Sequence, residues 1–138
     1  MLDFGSGGGV TALAAARAGA AAVTANDIDP WALCVVDIAA RAQNLAVGIS
    51  GDDICETPAL VDDYDVVLCG DLAYERREAP RQRAVLLRAL GNQAAVLVAD
   101  GGRKYFEHAG MVLLAEYEIE VPVDLEGVSV RVARVYAM

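Results

Sequence analysis

Short apolar runs alternate with longer stretches in which apolar residues recur at helical spacing. Glycine, asparagine or aspartate punctuates most junctions. Leu2–Phe4 reads as the end of a strand that runs into Gly5, Gly7 and Gly9, and Val10–Ala18 as an alanine-rich helix closed by Gly19. Ala21–Asn26 is a second strand. Asp29 and Pro30 then have the form of a helix cap and first helical residue, and Trp31–Gln43 places Leu33, Val36, Ala40 and Ile38 inward. Ala46–Ser50 is a third strand and Thr57–Val61 a short helix. Asp65–Cys69 is an unbroken apolar strand of the kind buried on both faces. The polar stretch Arg76–Arg83 leads into a helix that runs to Leu90 and closes at Gly91-Asn92. Ala94–Ala99 is a fifth strand, followed by a short helix at Tyr105–His108. Leu114–Val123 and Val128–Met138 read as an antiparallel pair joined by Asp124–Gly127.

Strands alternating with helices, then a closing hairpin, predict an α/β fold: a doubly wound, mostly parallel, Rossmann-like sheet with a C-terminal antiparallel hairpin. In such a sheet the ligand crevice lies at the carboxyl ends of the strands. Five strand ends carry glycine or an acid there: Asp3 to Gly9, Asp27, Asp52-Asp53, Gly70-Asp71 and Asp100. We expect one domain over residues 1–138, cut short ahead of Leu2, because a central strand usually runs about five or six residues.

The glycine turn has the form Asp3-x-Gly5-x-Gly7-x-Gly9. It is not G-x-G-x-x-G, whose last position here is Val10. A glycine at the centre of such a turn can take positive φ and leaves a ligand room against the backbone. Asp27, at the tip of the second strand, stands where a carboxylate accepts both hydroxyls of a ribose. Asp52 or Asp53, past the third strand, can accept from an exocyclic amine such as adenine N6, with Asp53 preferred; a turn acid or helix cap is the alternative for both. Asp71 reads either as an acid facing the crevice or as a helix N-cap.

The net charge of −9 opposes nucleic acid as a partner, since that affinity comes mainly from Lys and Arg on phosphates. It fits a basic partner: a lysine side chain or a cationic small molecule. Cys34, Cys55 and Cys69 read as reduced core thiols of a cytoplasmic protein. His108 is the single histidine, so no multi-histidine metal site is expected, and its own place is an exposed loop or helix end. No apolar stretch reaches the roughly 18 residues that span a bilayer, and no signal peptide or membrane contact is expected.

Four segments carry a resemblance: Leu-Asp-Phe-Gly-Ser-Gly (2–7), Ala-Asn-Asp-Ile-Asp-Pro (25–30), Gly-Asp-Leu-Ala-Tyr-Glu (70–75) and Asp-Gly-Gly-Arg (100–103). Together they resemble the class I, seven-strand methyltransferases that use S-adenosyl-L-methionine (SAM). The last two narrow this to the group of the electron-transfer-flavoprotein β-subunit lysine methyltransferases, whose relatives include nicotinamide N-methylase-like proteins. The resemblance implies SAM as cofactor, held by Asp3, Gly5, Ser6, Gly7, Gly9, Asp27, Ile28, Asp52, Asp53 and Gly70, with Asp71 and Tyr74 at the acceptor. It implies N-methylation of a protein lysine, with the electron transfer flavoprotein β subunit among the candidate partners. A small-molecule amine N-methyltransferase and a truncated, non-catalytic SAM-binding domain are the alternatives. The Asn-Pro-Pro-Tyr of nucleic-acid and glutamine-amide methyltransferases is absent after the fourth strand. The resemblance also implies a helical segment before the first strand, which we expect to be missing here. Trp31 stands either against adenine or in the core.

Overall fold

The computed structural model describes residues 1–72 and 75–138. Its strands are β1 (Leu2–Phe4), β2 (Thr24–Asn26), β3 (Gly48–Ser50), β4 (Val66–Gly70), β5 (Ala95–Asp100), β6 (Val112–Glu120) and β7 (Val130–Ala137). The helices are α1 (Val10–Arg17), α2 (Pro30–Ala42), α3 (Ala79–Gly91) and the single turn α4 (Val123–Glu126), with a 3-10 helix at Pro58–Asp63. The described strands form one sheet in the order β3-β2-β1-β4-β5-β7-β6. The first five are parallel; β7 inserts antiparallel between β5 and β6. The expected doubly wound α/β sheet with a terminal hairpin is therefore the observed one.

Alternation along the strands divides the core. Leu2, Phe4, Val67, Cys69, Val96 and Val98 are buried on one face, against Val85, Leu86 and Ala89 of α3 and Val61 of the 3-10 helix. On the other face Ala12 of α1 and Val36 of α2 pack on Val23 and Ala25. Asp3, between Leu2 and Phe4, necessarily points to the α1 side.

Several expectations are corrected. Leu33, Val36 and Ala40 are buried on α2, but Ile38 is 62% exposed. It lies two residues beyond Val36, about 200° round the helix, and faces away from the sheet. Cys34 is exposed, Cys55 half-buried and Cys69 buried, so only one of the three is a core thiol. Trp31 is 79% exposed, which removes its core reading. Residues 105–108 form no helix: Tyr105 ends a turn and residues 106–108 are irregular. There the Arg83 guanidinium of α3 donates to the carbonyls of Glu107 (2.9 Å) and Ala109 (3.0 Å), turning them toward α3 and away from helical partners. His108 is exposed, with its ring 6.0 Å from that of Tyr136. Among the described residues no helix is long and apolar enough to cross a membrane.

The turn after β1 is fixed by packing as well as by backbone shape. Gly9 has φ +76°, and a Cβ there would stand 2.6 Å from Val36 Cγ2. Gly8 has open space around it. Gly9→Ala should therefore lose about 1–3 kcal/mol of stability, while Gly8→Ala stays within about 0.5 kcal/mol of the wild type. Urea denaturation checks this, and equal midpoints for the two variants would show that the turn is not seated on α2.

Candidate active site

The tips of β1, β2, β3, β4 and β5 meet at one rim, and backbone bonds tie them together. Ser6 N–H donates to the Asn26 carbonyl (2.8 Å), Asp27 N–H to the Ser50 carbonyl (3.2 Å), and Asp71 N–H to the Ala99 carbonyl (2.8 Å). Asn26, buried at the end of β2, donates through its side-chain amide to Ser50 O (3.2 Å), Ser50 Oγ (3.1 Å) and Asp52 O (2.9 Å). It locks the β3 tip to the β2 tip, a role unread in the sequence, where its signal was an amide ending an apolar strand.

Two carboxylates shape the glycine turn. Asp27 Oδ2 accepts from Gly7 N–H (2.8 Å) and its Oδ1 from Asp29 N–H (3.0 Å). Asp3 Oδ2 accepts from Ala12 N–H (2.9 Å) in the first turn of α1, whose N-cap, Gly9, offers no side chain. Asp3 thus caps the helix from inside the sheet, where its charge also complements the helix dipole. Burial pushes the Asp3 carboxyl up to about 6; the Ala12 bond opposes this, and the neighbouring Asp27 charge adds to it. The Cys69 thiol behind it is pushed up to about 12, chiefly by burial and also by Asp3, and is chemically inert. Asp29 caps α2, its Oδ1 accepting from Trp31 N–H (2.9 Å), as expected.

The three glycines of the turn do different work. The Cβ position of Gly5 runs into Leu72, and that of Gly9 into Val36, so both are required by packing. Gly7, at φ +49°, has nothing within 4 Å of its Cβ position. Next to it, Ser6 Oγ is buried and has no hydrogen-bond partner among the described residues. The open backbone of Gly7 thus stands beside a buried hydroxyl whose hydrogen-bonding capacity is unused among the described residues. Ile28 lies beyond Asp27, 70% exposed, an apolar side chain at the same rim. Asp52 is exposed, its Oδ2 accepting from Ser50 Oγ (2.8 Å), whereas Asp53 is turned to a local task, its Oδ1 accepting from Glu56 N–H (3.1 Å). Gly70 lets α1 approach: its Cβ position is 3.3 Å from Thr11 Oγ1.

At the β4 tip Asp71 has φ +54°, a conformation that costs a non-glycine residue about 1–2 kcal/mol. It does not cap α3, which begins at Ala79 with Glu78 as its cap. Arg103 forks onto its carboxylate instead, Nε to Oδ1 at 2.7 Å and Nη2 to Oδ2. This pair joins residues far apart in the chain and escaped the sequence reading, although Arg103 stood in a noted segment. A cavity of about 280 Å³ opens beside it, walled by Asp71, Asp100, Arg103, Ile119, Val121 and Arg131. A second cavity of about 480 Å³ lies behind Leu72, between α3 and residues 104–111. Tyr74 lies outside the described residues. So the rim brings together Asp3, Gly5, Ser6, Gly7, Gly9, Asp27, Ile28, Asp52, Asp53, Gly70 and Asp71.

A profile of the methyltransferase domain family matches residues 1–102. The chain belongs to the methyltransferase domain family. This domain is 34% identical over 112 residues to the electron transfer flavoprotein beta subunit lysine methyltransferase of Danio rerio, covering 78% of this chain and 42% of that protein. It is 36% identical over 119 residues to the ribosomal protein L11 methyltransferase of Methylococcus capsulatus, covering 78% of this chain and 39% of that one. The methyltransferase domain thus spans less than half the length of these curated relatives. Its fold matches the magnesium protoporphyrin IX methyltransferase of Synechocystis PCC 6803 with bound SAM at a TM-score of 0.62 and 15% identity, over 99% of this chain and 68% of that one.

The buried Asp3 gives the domain a pH signature. Its folded-state value lies above that of an ordinary aspartate, so its contribution to stability is full below about pH 4 and is lost as pH rises through about 6. Asp3→Asn keeps an acceptor for Ala12 N–H without the charge. The stability of this variant relative to the wild type should rise by up to about 3 kcal/mol between pH 4 and pH 7.5. A pH-independent difference in denaturation midpoints would contradict the buried charge.

Proposed function

We propose that this domain is a SAM-dependent N-methyltransferase whose acceptor is a protein lysine. The observation that carries the reading is the rim itself: an open Gly7 backbone, an unsatisfied Ser6 hydroxyl and the Asp27 carboxylate lie side by side, with Asp71 at the next strand tip across. Bound SAM supplies a methyl group on a sulfonium, which passes to the nitrogen lone pair as the carbon–sulfur bond breaks.

The residues of the chain have separate tasks. Ser6 and Gly7 receive the amino-acid end of the cofactor, Asp27 the ribose hydroxyls, and Ile28 an adenine face. Asp52 or Asp53 takes adenine N6; each has one carboxylate oxygen engaged locally, and Asp52 is the more exposed. Asp3, Gly5, Gly9 and Gly70 hold the turn and α1 in place. Asp71 accepts a hydrogen bond from the acceptor amine and aims its lone pair. Free lysine, with a pKa of about 10.4, is nearly all charged at neutral pH, so the amine must lose a proton before it can react. A partly desolvated site beside a sulfonium favours that loss. The aliphatic stem of lysine fits against Ile119 and Val121 in the 280 Å³ cavity beside Asp71.

A protein acceptor is supported by the two relatives, whose names specify a lysine of the electron transfer flavoprotein β subunit and ribosomal protein L11. The acidic net charge supports a basic acceptor over a nucleic acid. The three cysteines pair with nothing, as in a reducing cytoplasm. With labelled SAM, and with both named proteins and Nα-acetyl-lysine as acceptors, the wild type should transfer label to a protein. Asp71→Ala should lower the rate by about a hundredfold or more with SAM affinity kept within about twofold. Full turnover by that variant would remove Asp71 from the reaction.

A further inference from the structure

The Asp71 carboxylate faces the cavity already matched by a cation of the chain itself. Arg103 takes both of its oxygens in a fork, Nε to Oδ1 at 2.7 Å and Nη2 to Oδ2. The loop that presents Arg103 is not left to chance. Asp100 Oδ2 accepts from Gly102 N–H (2.7 Å) and Asp100 Oδ1 from Arg103 N–H (3.0 Å), with Gly102 at φ +88°. Asp71 is set equally firmly, by its bond to Ala99 O and its left-handed backbone. Two pinned tips, one of them carrying the left-handed backbone of Asp71, therefore aim two side chains at each other. Both are about half exposed, 45% for Arg103 and 51% for Asp71, so as an ion pair they add little to stability. A costly backbone arrangement that yields little stability suggests a functional use.

We propose that Arg103 is a positioning residue: it orients the Asp71 carboxylate toward the acceptor and offsets its charge, so that the site takes up the uncharged amine rather than the ammonium. This rests on the methylation reading above, and on Asp71 meeting the acceptor. Among the described residues, the charged groups lining the cavity are Asp71 just past β4, Asp100 and Arg103 from β5 and its loop, and Arg131 from β7. Arg103 is the cation forked onto Asp71 itself. Its removal takes one positive charge from beside that carboxylate and favours an ammonium, which has no lone pair to attack a methyl group.

The test uses Arg103→Gln, which removes the charge, and Arg103→Lys, which keeps the charge and loses the fork. Both substitutions fall on a half-exposed side chain. In calorimetry at pH 7 with butylammonium as probe, Arg103→Gln should bind about three- to tenfold more tightly than the wild type. In the transfer assay the acid limb of the kcat–pH profile should move up by about half a unit to one unit in Arg103→Gln, with kcat recovering at high pH. Arg103→Lys should restore the limb while kcat stays reduced. A loss of kcat that is equal at every pH, or butylammonium affinity no higher in Arg103→Gln, overturns the assignment of Arg103 alone. No transfer by the wild type at any pH overturns the methylation reading, and this inference with it.

Discussion

The Asp27 carboxylate sits between two backbone N–H groups, one from the glycine turn and one from the start of α2. That bridge, with Asp3 capping α1 from below, forces the chain after β1 to turn tightly against β2. Everything at the rim follows from it. Gly7 must take a left-handed backbone with one side open, Ser6 is left with a buried hydroxyl, and Leu72 and Val36 close over the neighbouring glycines. The charge at Asp3 is held where burial disfavours it, so the turn is specified at some cost in stability. Stability and binding shape are coupled through one pair of acids.

The sheet order explains why these acids lie together. Chain reversal between β1 and β4, with β2 and β3 on one side and β5 on the other, opens a crevice at the carboxyl end. Asp27 and Asp52 approach it from one side of β1, Asp71 and Arg103 from the other. On the proposed reading, one half holds a nucleoside and the other presents an amine.

Much of this was legible in the sequence because it depends on local rules. The Asp29 cap, the buried face Leu33-Val36-Ala40 and the apolar strand before Gly70 are all set by period and by cap chemistry. What escaped depends on distance in space. The Arg103–Asp71 fork and the Asn26 lock join separate strand tips. The insertion of β7 between β5 and β6 is a matter of sheet order, which alternation within a hairpin does not encode. Residues 105–108 read as a short helix, but Arg83 holds the carbonyls of Glu107 and of Ala109 just beyond. Ile38 and Cys34 were placed inward because α2 is apolar nearly all round, so its buried stripe is blurred in the sequence. The acceptor-side role of Tyr74 lies outside the described residues.

The central claim is that a nucleoside with a sulfonium side chain lies across the β1, β2 and β3 tips. Amide chemical shifts during titration with S-adenosylhomocysteine test it most directly. The account predicts saturable changes concentrated at residues 5–9, 27–28 and 52–53, with smaller ones at 70–71. Shifts confined to the β6–β7 hairpin, or none at saturating ligand, would contradict it.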